Sequence, residues 1–188
     1  MRLFFAVDFS DSVRDAIRDG IAALALGPPP WRWIAIENLH LTLRFLGQMP
    51  ESRVSDLVAC AETAFANAEP FTIRLGGLGG FPNVPRARVL FYRVEDGAKR
   101  LHSLAQRLDE PLSRVMRIPN DTRPFRSHVT IARVKSRLPH AIVQTLEAAP
   151  ALSGATQSVR SVVLIQSLLG PKGAKYHHLK EFALTKPR

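Results

Sequence analysis

The sequence predicts a mixed fold of helices and strands, built as two similar halves packed into one domain over residues 1–188. The main observation is a short phrase that occurs twice, His40-Leu41-Thr42-Leu43 and His128-Val129-Thr130-Ile131, nearly half a chain length apart. Each phrase is followed closely by a helical pattern and then by further strand patterns. No linker or low-complexity segment separates the halves, and a chain of this length can bury one substantial core. We therefore expect two tightly packed halves.

The N-terminal half alternates between strand and helix patterns. The apolar run 2–8 predicts a buried strand, and the capping residues after it begin a helix that extends to about residue 25. The glycine and prolines at 27–30 end this helix in a stiff loop. The other elements predicted in this half are an extended stretch at 31–36, the first motif strand at 39–46 closed by Gly47, and a helix at 51–67 with a one-sided apolar stripe.

Strand patterns predominate after residue 70. Alternating apolar residues predict a strand at 71–75, and the glycine-rich run 76–80 predicts a flexible turn, because it lacks the spacing and lysine of a phosphate-binding loop. The other predicted elements are a strand at 89–94, a second helical stripe from Leu101 to Leu112, a loop at 117–126, the second motif strand at 128–134, a helix at 139–148, and two long strands at 156–168 and 175–184 joined by a turn at 170–173.

The charge of the chain indicates the kind of partner. A formal charge of +10 and a pI near 10.8 favour an anionic partner, with nucleic acid first and an acidic membrane second. The alternative is that the excess serves only solubility. Hydrophobic residues make up 46% of the chain and charged residues 22%, which is typical of a globular protein and argues against disorder.

The cysteine content and the N-terminus indicate the compartment. Cys60 is the only cysteine, so no internal disulfide or cysteine metal cluster can form, and its place on the apolar side of a helix predicts a buried thiol. The apolar run at the N-terminus is interrupted by Asp8 and is too short for a signal peptide. No stretch approaches the length of a membrane span. We expect a cytoplasmic protein that does not enter the membrane.

The repeated phrase indicates acid–base chemistry on a phosphodiester. In a strand, alternation places His and Thr on one face and the aliphatic residues on the other. One histidine near neutrality can act as a base while a second, held protonated, acts as an acid. The threonine hydroxyls on the same face can donate to the nonbridging oxygens as charge builds there. Neither phrase contains Asp or Glu, which disfavours a metal site.

The flanks of both phrases show a resemblance to a known family. HLTLRFLG and SHVTIARV resemble the paired HxTx motifs of the 2H phosphoesterases, and most closely those of the RNA 2′,3′-cyclic phosphodiesterases, also called LigT-like proteins. One departure is Ser127, where the family commonly has proline before the second motif. The resemblance covers essentially the whole chain and includes Arg2–Val7, Trp33, Glu37–His40, Phe45–Gly47, Phe81-Pro82, Arg88–Leu90, Arg123–Phe125, Arg133, and the run Ser167–Leu184 with Gly173 and Tyr176.

The resemblance implies a fold and a reaction. The fold is an α+β, two-lobed LigT-like fold, with pseudo-two-fold antiparallel sheets around a central cleft and helices outside. The reaction is hydrolysis of an RNA 2′,3′-cyclic phosphate to a 2′-phosphomonoester, without metal or other cofactor. The family's roles assign His40 as proton donor, His128 as proton acceptor, and Thr42 and Thr130 as phosphate-binding residues. Some family members also join tRNA half-molecules through a 2′–5′ linkage.

Four flanking residues are candidates for contact with the substrate: Arg133, Phe45, Arg44 and Tyr176. Arg44 shares strand parity with His40, which favours it, whereas strict alternation places Arg133 on the opposite face unless the strand bends or ends there. The aromatic candidates would stack on bases. Other basic residues that could line the cleft are Arg86, Arg88, Arg123, Arg126, Lys172 and Lys175.

Alternative functions remain open at this point. One is a 2′,5′-oligonucleotide or small cyclic-nucleotide phosphodiesterase with the same residues, and another is a non-catalytic module that binds RNA ends. The expected partner is an RNA with a 2′,3′-cyclic phosphate end, with tRNA fragments among the candidates, and we expect a monomer without an obligate protein partner. The adjacent His177 and His178 point to opposite faces of a strand, so they do not form a ligand set unaided.

Overall fold

The computed structural model describes residues 1–26, 30–170 and 173–185 and shows an α+β fold, as the resemblance implied. The strands are β1 (Arg2–Asp8), β2 (Trp31–Trp33), β3 (His40–Gln48), β4 (Phe71–Phe81), β5 (Val89–Asp96), β6 (His128–Val134), β7 (Thr156–Val159), β8 (Ser161–Gly170) and β9 (Gly173–Ala183). The helices are α1 (Asp11–Ala23), α2 (Val54–Phe65), α3 (Ala98–Gln106), α4 (Asp109–Met116) and α5 (His140–Ala148), with 3₁₀ turns at Ile36–Asn38, Glu51–Arg53 and Val84–Arg86.

Two antiparallel sheets form the framework and repeat the same plan. The first has the order β3-β1-β8-β9 and the second the order β2-β6-β5-β4-β7. If β2 is set aside, β3 corresponds to β6, β1 to β5, β8 to β4 and β9 to β7. In each half a helical connection leads from one of these strands to the motif strand beside it: α1 follows β1 and precedes β3, and α3 with α4 follows β5 and precedes β6. The motif strands β3 and β6 contact each other between the sheets.

The first sheet is completed by strands from the far end of the chain. The predicted single strand at 156–168 is wrong in this respect, because it is two strands separated at Arg160. Thr156–Val159 pairs with β4 in the second sheet, whereas Ser161–Gly170 pairs with β1 in the first. Strand-forming residues continue through both segments, so the sequence pattern alone does not reveal that the chain changes sheets at this point.

The second helical stripe also divides. The predicted run from Leu101 to Leu112 belongs to two helices, α3 and α4, with a break near Leu108. Pro111 explains the break, because proline has no backbone N–H and its ring clashes with the carbonyl of the residue four positions earlier. Both helices keep their apolar side in the core, with Leu101, Leu104, Leu108 and Leu112 at most 3% exposed.

The glycine-rich run 76–80 is part of β4, so its prediction as a flexible turn is wrong. Its glycines allow neighbouring side chains to cross the strand closely. A Cβ atom at Gly79 would lie 2.6 Å from the ring of Phe91, and one at Gly76 would lie 1.9 Å from the carboxylate of Glu95. The run is irregular in register between Leu75 and Leu78, yet it continues to pair with β5.

Three further expectations concern Gly47, two predicted loops, and a membrane span. Gly47 does not close the first motif strand, which continues to Gln48 with Gly47 at a φ of +73° inside an irregular register. Pro30 is the only part of the predicted loop 27–30 that lies within the described residues, and of the turn at 170–173 only the two glycines do. Within those residues no helix is long and apolar enough to cross a membrane.

We expect the two lobes to unfold in a single transition, because β1 and β3 rely on β8 and β9 from the other end of the chain for one side of their sheet. The tryptophans at 31 and 33 lie in the second sheet, so their fluorescence and far-ultraviolet circular dichroism report different parts of the molecule. The two signals should give coincident denaturation curves. Two separated transitions would contradict a single folding unit.

Candidate active site

In each motif strand, the buried aliphatic side chains determine which face the histidine and threonine occupy. Leu41, Leu43, Val129 and Ile131 are at most 4% exposed and belong to the main core. His40 and Thr42 therefore face away from this core, and His128 and Thr130 do the same in β6. The two strands bring one histidine and one threonine from each lobe to the region where the sheets meet.

Both imidazoles are held by the same backbone contact. The Nδ1 atom of His40 lies 2.8 Å from the carbonyl oxygen of Asn38, and the Nδ1 atom of His128 lies 2.6 Å from that of Arg126. A carbonyl oxygen only accepts, so each Nδ1–H donates, and each ring keeps Nε2 for another partner. In both strands the acceptor is the residue two positions before the histidine. The local geometry of the two halves is therefore the same.

Aromatic rings pack against each histidine. The ring centre of His40 lies 4.8 Å from that of Phe4 and 5.1 Å from that of Tyr176. For His128 the corresponding neighbours are Phe81 at 4.9 Å and Phe91 at 5.2 Å. These rings limit the motion of the imidazoles and exclude water from them. The sequence pattern did not assign the phenylalanines a role, because phenylalanine in a buried strand is ordinarily a core residue.

The surroundings of the two histidines lower both pKa values. Burial lowers the pKa of His40, while the Asn38 carbonyl and the Asp8 carboxylate act in the opposite direction. The charges of Arg14 and His128 lower the pKa of His40 further. Burial also lowers the pKa of His128, with the Arg126 carbonyl opposing it. Both imidazoles are accordingly biased towards their neutral form in the free protein.

A β-bulge follows the threonine in each motif strand. Between Phe5 and Ala6 of β1, the partner strand advances from Arg44 to Thr42, which leaves Leu43 as an extra residue. In the second sheet β6 advances from Ala132 to Thr130 against consecutive residues of β5, which leaves Ile131 extra. An extra residue reverses the alternation beyond it. Position five after each histidine, not position four, therefore faces the cleft.

This reversal corrects the expectation for Arg44. Its side chain is only 7% exposed and turns towards α4, where its guanidinium lies 2.5 Å from the carbonyl oxygen of Pro119 and 3.4 Å from the carboxylate of Asp109. Strict alternation from His40 predicted that Arg44 would face the cleft. The bulge at Leu43 reverses the alternation, so Arg44 faces the other side of the strand. The structure therefore does not bring Arg44 together with the other candidate residues.

The same reversal brings Arg133 and Phe45 into the cleft. Arg133 follows the bulge at Ile131 and lines the cleft, although strict alternation placed it on the far face. Phe45 is 48% exposed, stacks 6.2 Å from Phe4, and carries the guanidinium of Arg2 at 4.9 Å from its ring centre. Arg133 and Phe45 occupy corresponding positions in β6 and β3. One lobe presents an aromatic ring there and the other a guanidinium.

The cleft between the lobes has a volume of about 620 Å³. Among the candidates, His40, Thr42, Thr130, Phe45, Arg133 and Tyr176 line it together. Burial raises the pKa of Tyr176, and the nearby charges of Arg133 and Arg2 oppose this. Residues that the sequence pattern missed also line the cleft: Arg2, Phe4, Asn38 and Ser167. Asn38 connects two parts of the cleft wall, since its side-chain amide donates to the carbonyl oxygen of Ala174 in β9 at 3.0 Å.

The remaining polar candidates lie elsewhere. His177 and His178 are exposed on β9, with His178 3.6 Å from Asp8, and Lys172 is outside the described residues. Arg126 lies over the ring of Phe81 at 5.9 Å. In the ranges that the structure describes, no group of three or more His, Cys, Asp or Glu side chains is arranged to hold a metal ion.

Paired antiparallel sheets that each contribute one His-x-Thr strand to a shared cleft define a 2H phosphoesterase. The sequence profile of the 2′-5′ RNA ligase superfamily matches residues 11–170, and the chain belongs to that family. A Thermus thermophilus protein named RNA 2′,3′-cyclic phosphodiesterase is 36% identical to it, over 98% of this chain and 90% of the relative.

Solved structures agree with this assignment. A crystal structure of a protein from Thermus thermophilus superposes with a TM-score of 0.82 at 32% identity and covers 100% of both chains. Escherichia coli LigT, crystallised with 3′-AMP, superposes with a TM-score of 0.79 at 28% identity and covers 98% of each chain. The two-lobed fold predicted from the resemblance is confirmed.

The bulges generate a stability prediction for two arginines. Arg44→Met should lower the free energy of unfolding by about 2 kcal/mol, because it removes charge-assisted contacts in a buried site. Arg133→Met, in the other motif strand, should change it by less than about 0.5 kcal/mol, because Arg133 is exposed. Urea denaturation of both variants measures the difference. Equal effects would contradict the opposite placement of the two side chains.

Proposed function

We propose that the protein hydrolyses RNA 2′,3′-cyclic phosphate ends to 2′-phosphomonoesters, using His40 and His128 as its acid and base without a metal ion. The observation that carries this proposal is the pair of motif strands. Each presents an imidazole with Nδ1 tied to a backbone carbonyl and a threonine two residues later. His40 and both threonines line the cleft between the lobes, and His128 lines a second pocket of about 550 Å³. The activity in the name of the Thermus thermophilus relative supports the same substrate.

The proton transfers follow from the free Nε2 atoms. Neutral His128 accepts a proton from water through Nε2, and the resulting hydroxide attacks phosphorus from one side. Protonated His40 donates through Nε2 to the 3′-oxygen as the P–O3′ bond breaks on the opposite side. The phosphate stays on the 2′-oxygen. After the reaction His128 has gained a proton and His40 has lost one, so exchange with solvent restores the starting state.

The threonines and Arg133 stabilise the negative charge on the nonbridging oxygens of the phosphate. Thr42 and Thr130 line the cleft from opposite lobes, so their hydroxyls can donate to the two nonbridging oxygens. Arg133 adds a permanent positive charge at the same cleft. Because acid, base and charge stabilisation all come from side chains of the protein, the reaction requires no metal ion.

The unequal roles of the histidines have support in their neighbours. Asp8 pairs with His40 across β1 and β3, and its carboxylate opposes the lowering of the His40 pKa by burial. At the corresponding position opposite His128 stands Arg93, which offers no such stabilisation to an imidazolium. The donor role of His40 and the acceptor role of His128 agree with this difference.

The aromatic side of the cleft suits the terminal nucleoside. Phe45 is half exposed, and Tyr176 stands edge-on to His40 at the same wall. A base stacked on Phe45 would place its ribose 3′-oxygen on the His40 side, where the acid is needed. We further propose that the protein acts as a cytoplasmic monomer and that its substrates include tRNA fragments. Both catalytic histidines come from one chain, and buried Cys60 fits a reducing compartment.

Product analysis tests the function directly. The protein is incubated with EDTA and an RNA that ends in a 2′,3′-cyclic phosphate, and the product end is identified. We expect a 2′-phosphate from the wild type, and a loss of at least about 10³-fold in kcat for His40→Ala and for His128→Ala. His140→Ala, a histidine at the start of α5 outside the cleft, is the matched control and should retain full activity.

A 3′-phosphate product would reverse the assignment of the leaving oxygen. Full activity of either single histidine variant would exclude the acid–base pair. Activity that is abolished by EDTA and restored by a divalent cation would exclude the metal-independent mechanism.

The lowered pKa values predict the pH dependence. Only the singly protonated histidine pair is active, since a second proton blocks the base and loss of the last proton removes the acid. Because burial lowers both pKa values below 6.5, kcat/KM should be bell-shaped with its maximum on the acid side of that value. The bound phosphate anion stabilises the imidazolium, so the alkaline limb of kcat should lie at higher pH than that of kcat/KM. Initial rates from pH ~4.5 to ~8.5 test both statements, which fail if kcat/KM is still rising above neutrality.

A further inference from the structure

One guanidinium on α1 uses all three of its nitrogens close to the first motif strand. Arg14 donates from Nε to the carbonyl oxygen of Phe9 at 3.1 Å and from one terminal nitrogen to that of Ile36 at 2.7 Å. The other terminal nitrogen pairs with the carboxylate of Asp8. The side chain is only 13% exposed, and it is not among the described residues that line the cleft. Its contacts are therefore with the protein and not with the substrate.

The contact with Ile36 holds the segment that orients His40. The carbonyl oxygen of Ile36 belongs to the first residue of the 3₁₀ turn Ile36–Asn38. Asn38 is the last residue of this turn, and its carbonyl oxygen accepts from Nδ1 of His40 at 2.8 Å. Arg14 thus holds one end of a three-residue turn whose other end holds the imidazole. A shift of the turn would move the acceptor away from Nδ1.

The contact with Asp8 holds a carboxylate that acts on the same imidazole. Asp8 is the cross-strand partner of His40, and one of its oxygens accepts from both Arg14 and the backbone N–H of Phe9. Burial lowers the pKa of His40, the Asp8 charge opposes this lowering, and the Arg14 charge adds to it. By pairing with the carboxylate, Arg14 limits how strongly Asp8 favours the protonated form of His40.

Several elements place charged or titratable groups around His40. These groups are Asp8 on β1, Arg14 on α1, His128 on β6, Tyr176 and His178 on β9, and the arginines of the shared cleft, Arg2, Arg32 and Arg133. Among them, Arg14 contacts both the turn before His40 and the carboxylate beside it. In the second lobe Arg93 stands opposite His128, so a guanidinium from the next helix would meet a like charge and the same bridge cannot form.

We propose that Arg14 is a positioning residue for the acid histidine. By joining the Asp8 carboxylate to the turn that ends at Asn38, it sets both the direction of the His40 ring and the ease with which this ring holds a proton. This inference rests on the proposed function, because His40 is the proton donor to the 3′-oxygen in that reaction. Arg14 touches no reacting atom and acts only through its bonded partners.

Four variants separate the geometry of the bridge from its charge. Arg14→Lys keeps the positive charge, but one ammonium cannot bond three acceptors arranged for a planar guanidinium. Arg14→Met removes both the charge and the bonds, and Asp8→Asn removes the negative charge. Arg18→Met is the matched control, because Arg18 lies one turn further along α1, is more than half exposed and pairs with Asp15 of the same helix. It removes the same charge without touching the bridge.

The kinetic constants on an RNA that ends in a 2′,3′-cyclic phosphate test the geometry. We expect kcat, referred to folded protein, to fall about tenfold or more in both Arg14→Met and Arg14→Lys, because a small displacement of the acid slows proton transfer. KM should stay within about twofold of the wild type, since Arg14 does not bind the substrate. Arg18→Met should match the wild type in both constants.

The alkaline limb of kcat/KM tests the charge. In Arg14→Met it should move to higher pH, because His40 keeps its proton longer once a nearby positive charge is gone. In Asp8→Asn it should move to lower pH, because the carboxylate no longer favours the imidazolium. Arg14→Lys and Arg18→Met should keep the limb of the wild type. The position of a limb does not depend on the amount of folded enzyme, so a destabilised variant still gives an answer.

The tautomer of His40 gives a measurement that does not require turnover. Long-range proton–nitrogen correlation spectra distinguish a ring with Nδ1–H from one with Nε2–H, and the signals of His40 are those that His40→Ala removes. We expect neutral His40 to carry Nδ1–H in the wild type and in Arg18→Met. In Arg14→Met and Arg14→Lys the Nε2–H form should appear as well, because the Asn38 carbonyl is no longer held.

Other outcomes would overturn the inference. It fails if kcat, the pH limb and the tautomer are all unchanged in Arg14→Met, or if Arg18→Met changes them equally, which would reveal a general effect of net charge. Shifts of the limb in the same direction in Arg14→Met and Asp8→Asn would also exclude it. Wild-type kcat in Arg14→Lys would show that charge alone matters and would remove the positioning role. If the wild type does not hydrolyse cyclic phosphates, the proposed function fails, and the tautomers still test the bridge.

Discussion

The burial of the aliphatic half of each motif strand is the constraint on which the site depends. A fully buried Leu, Ile or Val contributes about 1.5–3 kcal/mol, and each four-residue phrase buries two such residues. A slip of one residue in register would exchange the two faces and bury both a histidine and a threonine. The core therefore sets the face on which both histidines and both threonines lie.

The two lobes share a backbone plan and differ in side chains. The plan gives both histidines the same carbonyl contact, the same threonine and the same bulge. The side chains around the histidines differ, with Asp8 and Arg14 near His40, and with Arg93 and a pocket of about 550 Å³ beside His128. A symmetric framework with an asymmetric lining matches a reaction in which one side of phosphorus receives a nucleophile and the other releases an alkoxide.

Much of this could be predicted from the sequence, because the periodicity of a segment is a local property. The motif strands, the buried cysteine and the helical stripes follow from the pattern of single segments. The errors arose where the outcome depended on a partner elsewhere in the chain. The bulge that directs Arg44 away from the cleft forms only when β3 pairs with β1. The strand breaks at Arg160 because β8 pairs with β1, whereas β7 pairs with β4. The glycines of β4 form a strand because Phe91 and Glu95 fill the space above them.

The bulges also change how such sites are recognised in other sequences. A strand without irregularity would place functional residues at even offsets from the histidine. Here the offsets are zero, two and five, occupied by His40, Thr42 and Phe45 in one strand and by their counterparts, ending in Arg133, in the other. A sequence signature of His-x-Thr-x-x followed by an aromatic or cationic residue, present twice, therefore describes the cleft more completely than the four-residue phrase. It also assigns the residue at offset four, Arg44 or Ala132, to the buried face of its strand.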